Sequence, residues 1–366
     1  MLKRAISSLC VVCLALFIPV AATAAAPGSA RQSASHMDDN AYRVKNLVSD
    51  VPGWAANVDP HLVNAWGLAA SPTSPWWVAD NGTNVSTLYA GDGTTIPLVV
   101  RVGGAPTGTV FNGSPDFVVS HDGTSGPSVF LFATESGTIR GWNPGTPTPI
   151  PSRRSFTVVN RSGKGAIYKG LAIITGSQGD LLYATDFGNG RVDVFDGNFN
   201  RLAWHGAFVD PHIPAGWSPF GIQAIHNKIF VTFAKQDGGD EADGHGLGYV
   251  DMFSMRGRFL ARVASRHELN APWGLAWAPA NFGRFGGDLL VGNFGDGRIH
   301  AYGWGPHGFW LDGTLQSPGR GAISIDGLWA LGFGNGAGAG AKNALFFTAG
   351  PGGESHGLFG RITAGD

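Results

Sequence analysis

The densest chemistry in the 366-residue chain is KQDGGDEADGHG, Lys235 to Gly246, which sets Asp237, Asp240, Glu241, Asp243 and His245 close together between glycines. Hard cations such as Ca²⁺ accept six to eight oxygen ligands in a flexible shell, and four carboxylates that repel one another would be relieved by one. The spacing is not that of an EF-hand loop. The loop therefore has two readings, a weak Ca²⁺ site or a solvated acidic run. A second set is dispersed: Asn64, Asp116, Lys169, Asp326 and His356. These can act together only if the fold gathers them at one place. His245 and His356 each precede Gly-Leu, which reads as turn support more than as a zinc pair. Asp80 in VADNG and Asp186 in ATDFG read likewise as carboxylates that bond their own turns.

Several chemistries are excluded. There is no G-x-S-x-G elbow, no H-E-x-x-H and no Walker loop. Both cysteines, Cys10 and Cys13, fall in an apolar amino-terminal run behind Lys3 and Arg4. That run reads as a secretory signal peptide over residues 1–24, so no membrane span, disulfide or thiol nucleophile is expected after cleavage. Residues 25–41 read as a flexible leader. Of 25 basic residues, 23 remain after Lys3 and Arg4 are removed, against 26 acidic ones, and no basic patch invites nucleic acid.

The elements that must position these residues are short strands. YKGLAIITGSQGDLLYATDFGNGRVDVFDGNFN, Tyr168 to Asn200, reads as three strands divided by glycine-rich turns, with RLAWHGAFV (Arg201 to Val209) as a fourth. Gly-apolar markers recur at Gly67, Gly170, Gly221, Gly274 and Gly327. The steps are 103, 51, 53 and 53 residues (170−67, 221−170, 274−221, 327−274), so the first is double and a copy is expected near SPDFVVS, Ser114 to Ser120. Six copies at this pitch predict an all-β, six-bladed β-propeller over residues 42–366. The last copy is one strand short and YRVKNLVS (Tyr42 to Ser49) is an orphan, so the amino-terminal strand should close blade six and hide its edge. Trp66, Trp273 and Trp329 sit on inner strands and read as packing between blades.

In such a meander the starts of the inner strands and the second turns share one rim, at a mouth of the central channel, where ligand sites are common. Asn64, Asp116, Lys169, Asp326 and His356 are the expected ligand-binding set there. Asp80, Glu135, Asp186, Asn293 and Glu354 lie on the same rim by this reading.

NAWGLAASPTSPWWVADNGTNVSTLYAG, the KQD after VTFA, GLWALGFGNG and LFFTAGPGGESHGLFGRI together resemble an uncharacterised family of exported bacterial β-propeller proteins, some with PEP-CTERM tails. The blades are more distantly similar to NHL repeats. The chain departs from the tailed members in ending without their hydrophobic segment. The resemblance implies a secreted or periplasmic propeller and names no reaction. Two function classes follow. One is a monomeric binding module holding a small molecule, glycan or protein at the channel mouth. The other is a metal-dependent, lactonase-like hydrolase or lyase, with Asn64, Asp116 and Asp326 as metal ligands and Lys169 intruding.

Overall fold

Alternating apolar and polar residues in runs of five to seven, cut by glycine turns, pair here as antiparallel meanders that run outward from a common axis. This computed structural model describes residues 40–176 and 179–365. The expected signal peptide, Cys10, Cys13 and all but the last two residues of the expected leader lie outside the described residues. The sheets form a six-bladed β-propeller. Each inner strand touches the next around the ring, and the sixth touches the first.

Blade one comprises Ala65–Ala69, Trp76–Asp80, Val85–Tyr89 and Thr95–Arg101. Blades four and five likewise have four laddered strands, beginning with Trp217–Ile225 and Pro272–Trp277, and in blade four Asp240–Ala242 adds to the end of the second strand. Blade six comprises Leu328–Phe333, Leu345–Ala349 and Leu358–Ala364, its fourth strand is Tyr42–Ser49, and the two-residue Asn57–Val58 pairs outside that. The fourth strand pairs antiparallel with Leu358–Ala364, Tyr42 opposite Ala364. The buried Tyr42 hydroxyl donates to the Phe282 carbonyl (3.0 Å) and accepts the Phe285 N–H (3.1 Å), so closure is also anchored to blade five.

Three details differ from the sequence reading. The inner strand of blade two is Pro106–Phe111, not Ser114 to Ser120. The latter stretch runs into an inserted hairpin, Val118–His121 with Thr124–Pro127. The true marker is Gly108, masked in sequence because Thr109 follows it, and the insertion splits the double step unequally into 41 and 62 residues (108−67, 170−108). In blade six the residue equivalent to the marker is Ala330. Gly327 lies in the turn before the strand, with φ +64°. Blade three has three strands among the described residues, Tyr168–Ile174, Leu181–Asp186 and Arg191–Asp196. Arg201 bridges Phe195 and its guanidinium grips Asp193 at 2.6 Å, but the chain then leaves. Phe208 is instead buried against Phe253 in the apolar cluster shared with blade four.

The inner strands meet backbone to backbone. A Cβ on Gly170 would lie 2.8 Å from the Phe220 carbonyl oxygen. At Gly67, Gly108, Gly221 and Gly274 it would overlap backbone of the following blade outright. Glycine is required here for close approach. Threonine hydroxyls bridge the seam. Thr185 accepts the Gly170 N–H and donates to the Phe220 carbonyl, both at 2.7 Å. Thr348 does the same between the Ala330 N–H and the Trp66 carbonyl.

Deleting residues 41–50 removes the fourth strand of blade six and exposes the edge of Leu358–Ala364. The expected result is loss of cooperative unfolding or aggregation, read by thermal melts and size-exclusion chromatography. A monomeric variant that melts like the parent would contradict closure as a source of stability.

Candidate functional site

The residue just before each seam position stands nearest the axis. In five blades it is Trp66, Lys169, Phe220, Trp273 or Trp329, and in blade two it is Thr107. The four aromatics converge, with Phe187, into one buried cluster. Trp66 stacks on Trp329 with ring centroids 3.4 Å apart, and Phe294 stacks on Trp329 at 4.1 Å. The tryptophans therefore pack between blades and also plug the channel.

Lys169 occupies the same position in blade three, so the fold carries an ammonium into that plug. Its side chain is 1% exposed, with Nζ 4.8 Å from the centre of the Trp66 ring. Carboxylates reach it from the second turns of neighbouring blades: Glu135 at 2.8 Å, Asp240 at 2.6 Å and Glu241 at 3.3 Å. A chain of amides extends the set across the mouth. Asn81 donates to Glu135 (2.9 Å) and accepts from Asn64 (3.3 Å). Asn64 donates also to Glu354 (2.6 Å), and its oxygen accepts the Trp329 indole N–H (3.0 Å). Asn64 and Glu354 both hold positive φ, +46° and +66°, which is more strained for glutamate than for asparagine.

The electrostatics follow from this enclosure. Burial works against the Lys169 charge, but Glu241, Glu135 and Asp240 outweigh it and hold the pKa above the ordinary lysine value. Lys169 is a fixed cation and no amine nucleophile. Despite partial desolvation, hydrogen bonds from Glu241 and Lys169 bring Asp240 down to about 2. Burial drives Glu241 well above the carboxylate range, against the pull of Lys169. Burial likewise raises Glu354, against its bond from Asn64.

Of the expected ligand-binding residues, the structure brings Asn64 and Lys169 into this network. Asp326 is exposed on the same face but accepts the Gly352 N–H at 2.9 Å, outside the network. His356 is bound through Nδ1 to Asp50 (2.9 Å) and supports the turn beside the closing strand. Asp116 follows the blade-two inner strand instead of starting it, and its carboxylate lies against Gly197 at the other face. The acidic loop is divided. Asp240 and Glu241 turn to Lys169, Asp237 sits exposed at the hairpin tip opposite Asp240, and Asp243 lies beside Gly295 of blade five. Among the described residues no three His, Cys, Asp or Glu side chains gather as a metal site. Asp186 bonds its own turn through Asn189, as its sequence context predicts, whereas Asp80 is wholly buried and burial raises its pKa strongly. Glu135 and Glu354 were legible as rim residues. Asn81 was missed, because an asparagine in an NG turn carries no signal beyond the turn itself.

A cavity of about 880 Å³ lies away from this mouth, on the opposite face, lined by Asp116, Asp180, Asp196 and Trp204. A smaller one of about 340 Å³ opens the other end of the channel beside Leu68, Gln223 and Leu331.

No family model matches the chain. It is 33% identical over 305 residues to the uncharacterized protein R648 of Acanthamoeba polyphaga mimivirus, spanning 79% of this chain and 73% of that protein. It is 34% identical over 276 residues to uncharacterized protein L690 of the same virus, 71% of each. The chain belongs to the family of these viral proteins. Neither relative carries an assigned activity in its name. Among solved structures, the soluble aldose sugar dehydrogenase of Escherichia coli is similar with a TM-score of 0.53 at 14% identity, covering 88% of this chain and all of that one. A streptogramin B lyase is similar with a TM-score of 0.50 at 10% identity, covering 90% and 99%. Likeness at such identities shows the propeller fold alone.

Lys169→Met should strip the counter-charge from Glu135, Asp240 and Glu241. Breaking a buried pair costs about 3–5 kcal/mol, and the partial exposure of Asp240 and Glu135 reduces the expected loss to about 2–3 kcal/mol near neutral pH. Asp240, whose pKa is depressed, stabilises the parent above its ordinary pKa, and that contribution disappears as pH falls toward about 2. In the variant the uncompensated carboxylates protonate on acidification. Both effects narrow the gap, so urea melts near neutral pH should differ more than melts near pH ~3. A gap independent of pH would mean that Lys169 stabilises by packing alone.

Proposed function

We propose that this protein is an exported binding module whose site is the capped channel mouth, with a small ligand rich in hydrogen-bond donors, an amine or a polyol, as its target. The observation that carries this reading is the Asn64–Glu354 bond, made between two residues both held at positive φ. Strain of that kind gathers where a side chain must be aimed. Around it, three acidic groups (Glu135, Asp240, Glu241) converge on the Lys169 ammonium and Glu354 joins them through Asn64, so the mouth is rich in acceptor oxygens. Asp240 is two-thirds exposed and Glu135 one-third, which leaves these acceptors within reach of solvent and ligand. Export rests on the signal-like residues 1–24 and the resemblance to exported propellers.

The test is calorimetric titration of the full chain with 1,4-diaminobutane and with sorbitol. Saturable binding of either, weakened at least about tenfold by Asp240→Asn together with Glu135→Gln, is the expected result. The double variant must keep the parent's melting profile for the comparison to count. Binding that survives the double substitution, or no binding of either probe, would sink the proposal.

The catalytic alternative has one observation in its favour. Asp240 and Glu241 are adjacent acids whose surroundings push their pKa values apart, Asp240 down to about 2 and Glu241 upward by burial, which is how acid–base pairs are prepared. Its metal-dependent form has less support, since Asp116 lies away from Asn64 and Asp326. Protein purified without chelator is expected to hold no stoichiometric divalent ion, Ca²⁺ included, by elemental analysis. One tightly held ion per chain would favour the metal-dependent hydrolase or lyase.

A further inference from the structure

Three of the twelve tryptophans are exposed: Trp304 and Trp310 on the outer hairpin of blade five, and Trp54, 44% exposed on the rim of blade six. Trp54 lies in the turn that follows the closing strand. Its carbonyl accepts Asn46 Nδ2 at 3.0 Å, which fixes the backbone. Its ring meets the His356 imidazole edge-on, centroids 5.2 Å apart at 69°, and His356 is itself bound to Asp50. The indole is thus oriented by neighbours while still facing solvent. It walls a cavity of about 450 Å³, within the range of ligand pockets.

The short hairpin Gln316–Ser317 and Gly321–Ala322, which lies outside the blade ladders, also lines the cavity and brings Arg320 to it. Asp326 lines it too, with one carboxylate oxygen on the Gly352 N–H. Ile323 and Leu358 supply an apolar floor. One exposed indole face, one carboxylate and one guanidinium around an apolar floor form a neutral set. A polyhydroxylated pyranose ring meets each of these demands: its C–H face lies on the indole, and its hydroxyls donate to Asp326 and accept from Arg320.

We propose that this cavity is a saccharide subsite that holds one pyranose residue of a glycan on Trp54. The subsite is distinct from the mouth. The turn of residues 350–356 separates them, giving Glu354 to the mouth and Pro351 to this cavity. The inference therefore stands apart from the binding function proposed for the mouth.

The full chain would be titrated with β-linked hexasaccharides of glucose, N-acetylglucosamine and xylose, followed by tryptophan fluorescence and calorimetry. At least one is expected to bind saturably. Trp54→Ala should weaken that binding by about tenfold or more, the loss of one aromatic contact. Trp54→Phe, which keeps a ring, should restore most of it, and Arg320→Ala should weaken it with an unchanged melting profile. Asp240→Asn, at the mouth, should leave glycan affinity unaltered, which separates the two sites. Should none of the three probes bind, or should Trp54→Ala bind like the parent, the subsite is refuted. Loss in Trp54→Ala that Trp54→Phe does not repair would also refute stacking as its basis.

Discussion

The six inner strands approach one another so closely that at five seams a Cβ would crowd or overlap the backbone of the next blade. The seam of Gly67, Gly108, Gly170, Gly221 and Gly274, with Ala330 in the sixth place, meets this demand, and the rest of the molecule depends on it. The approach is stabilised by threonine hydroxyls that accept from one inner strand and donate to the next, so the seam leaves few backbone groups unpaired. The inner strands also shift register around these positions, for example between Tyr168 and Gly170, which turns the neighbouring side chains.

That geometry decides what the channel contains. Residues one place before the seam come together at a narrow radius, and with Trp66, Phe220, Trp273 and Trp329 there the bore fills with aromatic rings. A lysine in the same ring cannot reach bulk water, because its side chain is buried in the plug. Its charge persists because the second turns of blades two and four supply carboxylates at hydrogen-bonding distance. The plug and the acidic cap are one construction: the aromatics exclude solvent, and exclusion makes each charge–charge contact count for more.

The acidic loop shows how such a cap changes the meaning of a sequence signal. Four carboxylates spaced by glycine suggest a shared cation. In the fold the hairpin of Asp237 and Asp240 leans across the mouth, and the cation that two of its acids meet is Lys169, 71 residues away in the chain.

Read alone, the sequence determined the propeller, its six copies and the strand exchange that closes it, because period-two strands, glycine turns and a repeat of fixed pitch are local signals. It also determined the shared rim, since meander topology follows from strand order. It did not determine which Gly-apolar pair belongs to the seam. Thr109 hid Gly108, and Gly327 stood in for Ala330, because the requirement for glycine comes from the adjacent blade and leaves no local mark. Nor could it show that RLAWHGAFV would abandon blade three, a choice made by the apolar cluster that takes Phe208. The site follows the same division. Asn64 and Lys169 were legible as inner-strand residues facing the mouth, whereas their joining through Asn81, Glu135, Asp240 and Glu354 was decided only when five blades brought those side chains within hydrogen-bonding distance. Local pattern fixes strands and turns. Contacts across the ring are long-range, and only closure of the ring sets them.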